Sequence, residues 1–67
     1  MDKQQLGDLI KKRRALLNIT QRDLADISGV TLRKLVDIEN GKANPTVDTL
    51  TKIFEAIGLE MKIEVKL

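Results

Sequence analysis

The sequence predicts a mainly α fold, a bundle of four or five short helices followed by a single C-terminal β-strand. Three observations predict it. Apolar residues recur at helical spacing from Leu6 to Ile57. Thr20, Thr31 and Thr46 stand where helices start, and Gly29, Gly41 and Gly58 where they stop. Beyond Gly58 the apolar period changes from helical to strictly alternating.

Leu6, Leu9, Ile10, Leu16 and Leu17 place an amphipathic helix over residues 4–17. Arg13 and Arg14 lie on or beside its apolar face, so at least one is drawn inward. Thr20 caps a short helix over 21–28, with Asp23 at the third helical position and Leu24, Ala25 and Ile27 following. Gly29 ends it where a left-handed residue is wanted. Thr31 caps the next helix, over 32–39, in which Leu35 and Ile38 are three apart. Asn40-Gly41 closes that helix and Lys42-Ala43-Asn44-Pro45 makes a loop. Thr46 caps the fourth, with Asp48 favourable to its dipole. Leu50, Ile53, Phe54 and Ile57 form its buried stripe. Leu59, Met61, Ile63, Val65 and Leu67 then alternate with Glu60, Lys62, Glu64 and Lys66, a strand with one apolar and one charged face. The division is a helical domain over 1–58 and a strand over 59–67. A lone strand cannot satisfy its backbone, so its partner comes from another molecule.

Sixty-seven residues make one folded unit with a small core. With no Cys and no His, disulfides and thiolate or imidazole metal sites are excluded, which leaves helix packing or oligomerisation as the source of stability. Lacking His, Cys and Tyr, the chain has a poor inventory for catalysis, so no catalytic residue, cofactor or metal is assigned. Apolar residues make up 42% and charged residues 33%, a soluble, globular balance. No apolar run approaches a membrane span of ~20 residues and no signal peptide opens the chain, so the expected compartment is cytoplasmic.

The net charge is +2, but residues 1–20 carry five basic and two acidic groups, four of the basic ones in Lys11-Lys12-Arg13-Arg14. Such a run either meets a phosphate backbone or forms a solvated helix face.

Gln21, Ala25, Gly29, Leu35 and Ile38 have the spacing of two short helices joined by a tight turn, the helix-turn-helix unit. Ala25 lets the helices approach, and Leu35 and Ile38 anchor the second one. That leaves Thr31, Leu32, Arg33, Val36 and Asp37 outward, where such a unit reads base edges in the major groove. The run Arg14…Thr20-Gln21…Leu24-Ala25…Gly29-Val30…Leu35…Glu39-Asn40-Gly41-Lys42…Pro45-Thr46…Leu50…Ile53 resembles the Xre/Cro family of repressors over residues 6–58. The fold this implies is a lambda-repressor-like bundle. Within the family the chain is most similar to short HipB-like antitoxins of toxin–antitoxin operons, whose terminal strand pairs across a dimer two-fold.

The resemblance implies roles residue by residue. Gln21 matches a glutamine that contacts phosphate and base edge. Arg14 and Glu39 match an ion pair bridging the first and third helices. Asn40 and Lys42 match loop positions that clasp the backbone, and Thr31 is a phosphate contact at the helix start. Arg33 is suited to grip guanine O6 and N7. Leu32 and Val36 either touch thymine methyls or are ordinary exposed apolar residues. Asp37 departs from the family's amide or basic residue: it accepts from cytosine N4, pairs with Arg33 one turn away, or repels phosphate. Pairing with Arg33 is the favoured expectation.

The tail carries its own register. Antiparallel pairing of two copies centred on Ile63 sets Glu60 against Lys66 and Lys62 against Glu64. Centring on Lys62 opposes Glu60 to Glu64, and a parallel pairing opposes like charges throughout. Cross-strand pairs, at roughly 0.2–1 kcal/mol each, select the first. The apolar face, Leu59, Met61, Ile63, Val65 and Leu67, is expected to pack on the helices and supply most of the dimer's affinity. Strand addition to another protein is the alternative.

Two functions follow. One is a homodimeric repressor of double-stranded DNA that occludes a promoter, its own operon's, through an inverted repeat with half-sites ~34 Å apart. The other is an antitoxin-like module that holds a toxin enzyme inactive, with DNA binding secondary.

Overall fold

Capping chemistry sets where each helix of this chain begins. The computed structural model describes residues 1–66 and contains helices α1 (Lys3–Leu16), α2 (Gln21–Ser28), α3 (Leu32–Glu39) and α4 (Val47–Ala56). The Asp2 carboxylate accepts the Gln5 N–H at 2.8 Å, while Gln5 Oε1 accepts the Asp2 N–H at 2.9 Å. Thr20 and Asp23 repeat that reciprocal arrangement on α2, at 2.9 and 3.0 Å. Thr31 and Thr46 each accept the N–H three residues on, at 3.2 and 3.1 Å. Each cap satisfies a donor that has no partner within its helix. At the other end of α2, Gly29 has φ 75° and donates its N–H to the Ala25 carbonyl at 3.0 Å. Nothing crowds its α-carbon, so the left-handed backbone alone requires glycine there.

α3 lies against both α1 and α2, and α4 packs on α2. Their shared centre is Ile10, Leu24, Leu35, Ile38, Ile53 and Ile57, each buried to 2% exposure or less. Ala25, Val30 and Phe54 close the core around them. The helical stripe of α4 is inside as expected, with Leu50 half-buried at its edge. No helix is long and apolar enough to cross a membrane.

The sequence reading missed one contact that fixes the bundle. Gly7, mid-helix in α1, is buried against the last turn of α3. A Cβ there would meet the Glu39 carbonyl oxygen and stand 2.7 Å from that of Ile38. A glycine inside a helix costs ~1 kcal/mol relative to alanine, and here it permits backbone-to-backbone approach.

Three expectations are corrected. Leu16 and Leu17 are 77% and 43% exposed, because Leu16 falls about 120° round the wheel from Ile10 and Leu17 is the C-cap, where the helix has ended. Ile27, read into the apolar pattern of α2, is 62% exposed: it falls about 60° round the wheel from Leu24, away from Ala25. And among the described residues there is neither a fifth helix nor a strand. A ladder needs a second backbone edge, which one copy of this chain does not supply. Leu59 is half-buried against the core. Met61, Ile63 and Val65 are instead 41%, 102% and 87% exposed, so the tail's apolar side chains do not pack on the helices. Leu67 lies outside the described residues.

Candidate nucleic-acid interface

The outer face of α3 is positioned by what holds its inner face. Glu39, at the end of α3, is fully buried. Its two carboxylate oxygens accept from Arg14 Nε at 3.0 Å, from Arg14 Nη2 at 3.1 Å and from Gln21 Nε2 at 3.0 Å. Arg14 Nη1 also donates to the Ile19 carbonyl at 3.1 Å. A single buried carboxylate thus ties α1, α2 and α3 together. Burying it is tolerable because a guanidinium fork neutralises the charge and every oxygen has a donor.

Arg13 turns the other way. Its Nε donates to the Ile57 carbonyl at 2.7 Å, satisfying an orphan acceptor at the end of α4. Both arginines of the basic run are therefore turned onto intramolecular partners and are half-buried, as is Lys11, while Lys12 is exposed. Spacing alone could place at least one inward; the second needed the α4 terminus, whose position the sequence does not encode locally.

On α3, Leu35, Ile38 and Glu39 face inward. At 100° per residue the direction opposite them is taken by Arg33 and Asp37. Thr31, Arg33 and Lys34 are exposed and Asp37 is half-buried. With Ala43 these four line a shallow depression. Leu32 and Val36 are half-buried on the flank, and Leu32 packs against the core, so neither stands fully outward. Asn40 and Lys42 are exposed beyond the helix end. The Lys42 N–H donates to the Asp37 carbonyl at 2.9 Å, folding the loop back against α3.

Two further differences concern individual roles. Among the described residues the ion pairs are Arg14–Glu39 and Asp48–Lys52; Arg33 and Asp37 do not pair. A largely solvated i, i+4 pair gains little and costs the rotamer freedom of two side chains. Gln21 spends one amide N–H on Glu39, which spacing could not reveal because its partner is 18 residues away. Lys34, outside the expected set of contacts, is exposed beside Arg33, as its place on the helical wheel dictates. Near Gln21, the Thr20 backbone N–H, and then its hydroxyl, hold the Asp23 carboxyl below its ordinary value of 3.8.

The family model described as Helix-turn-helix matches residues 10–63. The chain is 35% identical to the ImmF control region 10 kDa protein of Bacillus phage phi105, covering 94% of this chain and 70% of that one. It is 38% identical to an uncharacterised HTH-type transcriptional regulator of Methanocaldococcus jannaschii, over 79% of this chain and 80% of that one. A further uncharacterised HTH-type transcriptional regulator, of Sinorhizobium fredii, is 31% identical over 87% of this chain and 76% of that one.

Proposed function

Because this chain belongs to the helix-turn-helix family of Xre/Cro type, we propose that it is a DNA-binding transcriptional regulator that reads double-stranded DNA with α3. One observation carries the reading: the inner side of α3 is locked to α1 and α2 through Glu39, while Thr31 and Arg33 stand exposed at its N-terminal end. A helix held that rigidly, with Thr31, Arg33 and Lys34 exposed at its start, can enter a major groove without reorganising.

Thr31, Asn40 and Lys42 contact phosphates and set the register. Gln21 joins them with the amide N–H that Glu39 does not use. Arg33 and Asp37 face the bases, Arg33 as a donor fork to guanine, with Leu32 and Val36 on the flank of that face reaching at most its edge. The regulator works as a homodimer on an inverted repeat and represses by occupying a promoter. What supports the dimer is the tail: Met61 and Ile63 border an apolar groove with Leu6, Leu9, Leu50 and Phe54, and the charges of residues 60–66 are complementary about Ile63. A second copy's tail, paired antiparallel, covers that groove.

Selection of bound duplexes from a randomised pool tests this. The expected product is an inverted repeat with half-sites about one turn (~34 Å) apart, bound with an affinity that falls steeply as salt rises. Enrichment of a lone half-site removes the symmetric dimer, and no enrichment removes the DNA-reading function.

A further inference from the structure

The carboxylate of Asp37 is the oddity of the α3 surface. It stands in a depression whose other charged side chains, Arg33 and Lys34, are cationic, and it pairs with neither. No hydrogen bond to its side chain is present among the described residues, although the backbone carbonyl of the same residue holds Lys42. A negative group on a surface facing phosphates weakens binding to every sequence equally, unless a base supplies a donor to it. We infer that Asp37 is a specificity-determining residue that requires cytosine at one position of each half-site. The inference rests on the DNA-reading function proposed above.

The chemistry narrows the base. An ionised carboxylate accepts hydrogen bonds and donates none. In the major groove, guanine shows N7 and O6 and thymine shows O4, all acceptors that repel it. Adenine offers its N6 amino group, but beside the N7 acceptor. Cytosine offers the N4 amino group with no acceptor next to it at the groove edge. Arg33 and Asp37 share one face of α3, four residues and about 6 Å apart along the axis. That spacing lets the two side chains reach different bases, so the arginine's guanine and the carboxylate's cytosine lie in one pair or in neighbouring pairs. The absence of an Arg33–Asp37 bridge leaves both groups free for this.

The experiment is duplex selection with the full chain as wild type, Asp37→Ala and Asp37→Asn, with circular dichroism to show that all three are folded. Wild type is expected to enrich a cytosine at a fixed place in each half-site, preferred about tenfold over other bases. Asp37→Ala loses that preference and keeps the rest of the motif. Asp37→Asn moves it to adenine, whose N6 and N7 suit an amide. A wild-type motif without the cytosine, or one that Asp37→Ala leaves unchanged, overturns the inference while leaving DNA reading intact. A wild type that enriches nothing overturns both.

Discussion

The helical body and the tail of this molecule are built on opposite terms. Between Asp2 and Leu59 the chain satisfies itself. Helix starts are capped from within, the buried carboxylate of Glu39 has donors from two helices, and Arg13 closes the end of α4. Residues 60–66 do the reverse, holding Ile63 and Val65 in water at 102% and 87% exposure. Apolar side chains at that exposure gain nothing in a single copy. Under the dimer proposed above, their strict alternation is information about a partner, whereas the body's wiring is information about itself.

The sharpest way to break that comparison is at Glu39. Glu39→Ala leaves the Arg14 guanidinium without its counter-charge in a largely buried place, at an expected cost of about 3–5 kcal/mol. A domain of this size has roughly 3–10 kcal/mol in all, so urea or thermal unfolding should find the variant mostly unfolded near 37 °C. If it melts like the wild type, the body does not depend on this carboxylate and the proposed rigidity of α3 loses its basis. Gly7→Ala comes next. The added methyl meets the backbone of Ile38 and Glu39, which cannot rotate aside as a side chain would, and the expected loss is about 1–3 kcal/mol.

Changes in the tail should separate cleanly from these. Truncation after Leu59 is expected to leave the helical circular dichroism of the body intact while abolishing self-association in sedimentation. The melting temperature of the wild type should rise with protein concentration and that of the truncated chain should not. Within the full-length chain, Glu60→Lys sets like charges against Lys66 in the proposed register and weakens the dimer. Adding Lys66→Glu restores complementarity, each pair being worth roughly 0.2–1 kcal/mol. A double variant no better than the single one excludes the pairing about Ile63.

The same division explains what the sequence made legible. The helix boundaries and all three threonine caps lay in local pattern, because a cap and its recipient are three residues apart. Asp2 with Gln5 was readable by the same rule. The contacts that were not readable are those joining distant segments: Gln21 to Glu39, Arg13 to Ile57, Gly7 to the α3 carbonyls. A glycine amid a helical pattern was the single local sign of the last. The apolar stripe of α1 stops short of Leu16 and Leu17 because the first lies about 120° round the wheel from Ile10 and the second is the C-cap beyond the helix, neither of which a count of apolar residues reveals.

The smallest effect expected lies within the body itself, at Asp23, and it sharpens the comparison by separating buried wiring from exposed caps. Asp23 is fully exposed, and its carboxyl is held below 3.8 by the Thr20 N–H and then by the Thr20 hydroxyl. A folded value below the unfolded one means that the unfolded chain binds the proton more readily. The contribution is therefore complete above the unfolded value and is lost as pH falls through the folded one. At pH 7 Asp23→Asn should melt slightly below the wild type, since an amide is a weaker acceptor at a helix N-terminus. Titrating from pH 7 downward, that gap should hold until pH approaches 3.8 and close beneath it. A gap that persists unchanged in acid would assign the difference to packing or helix propensity, and the cap would then belong with the neutral contacts of the body.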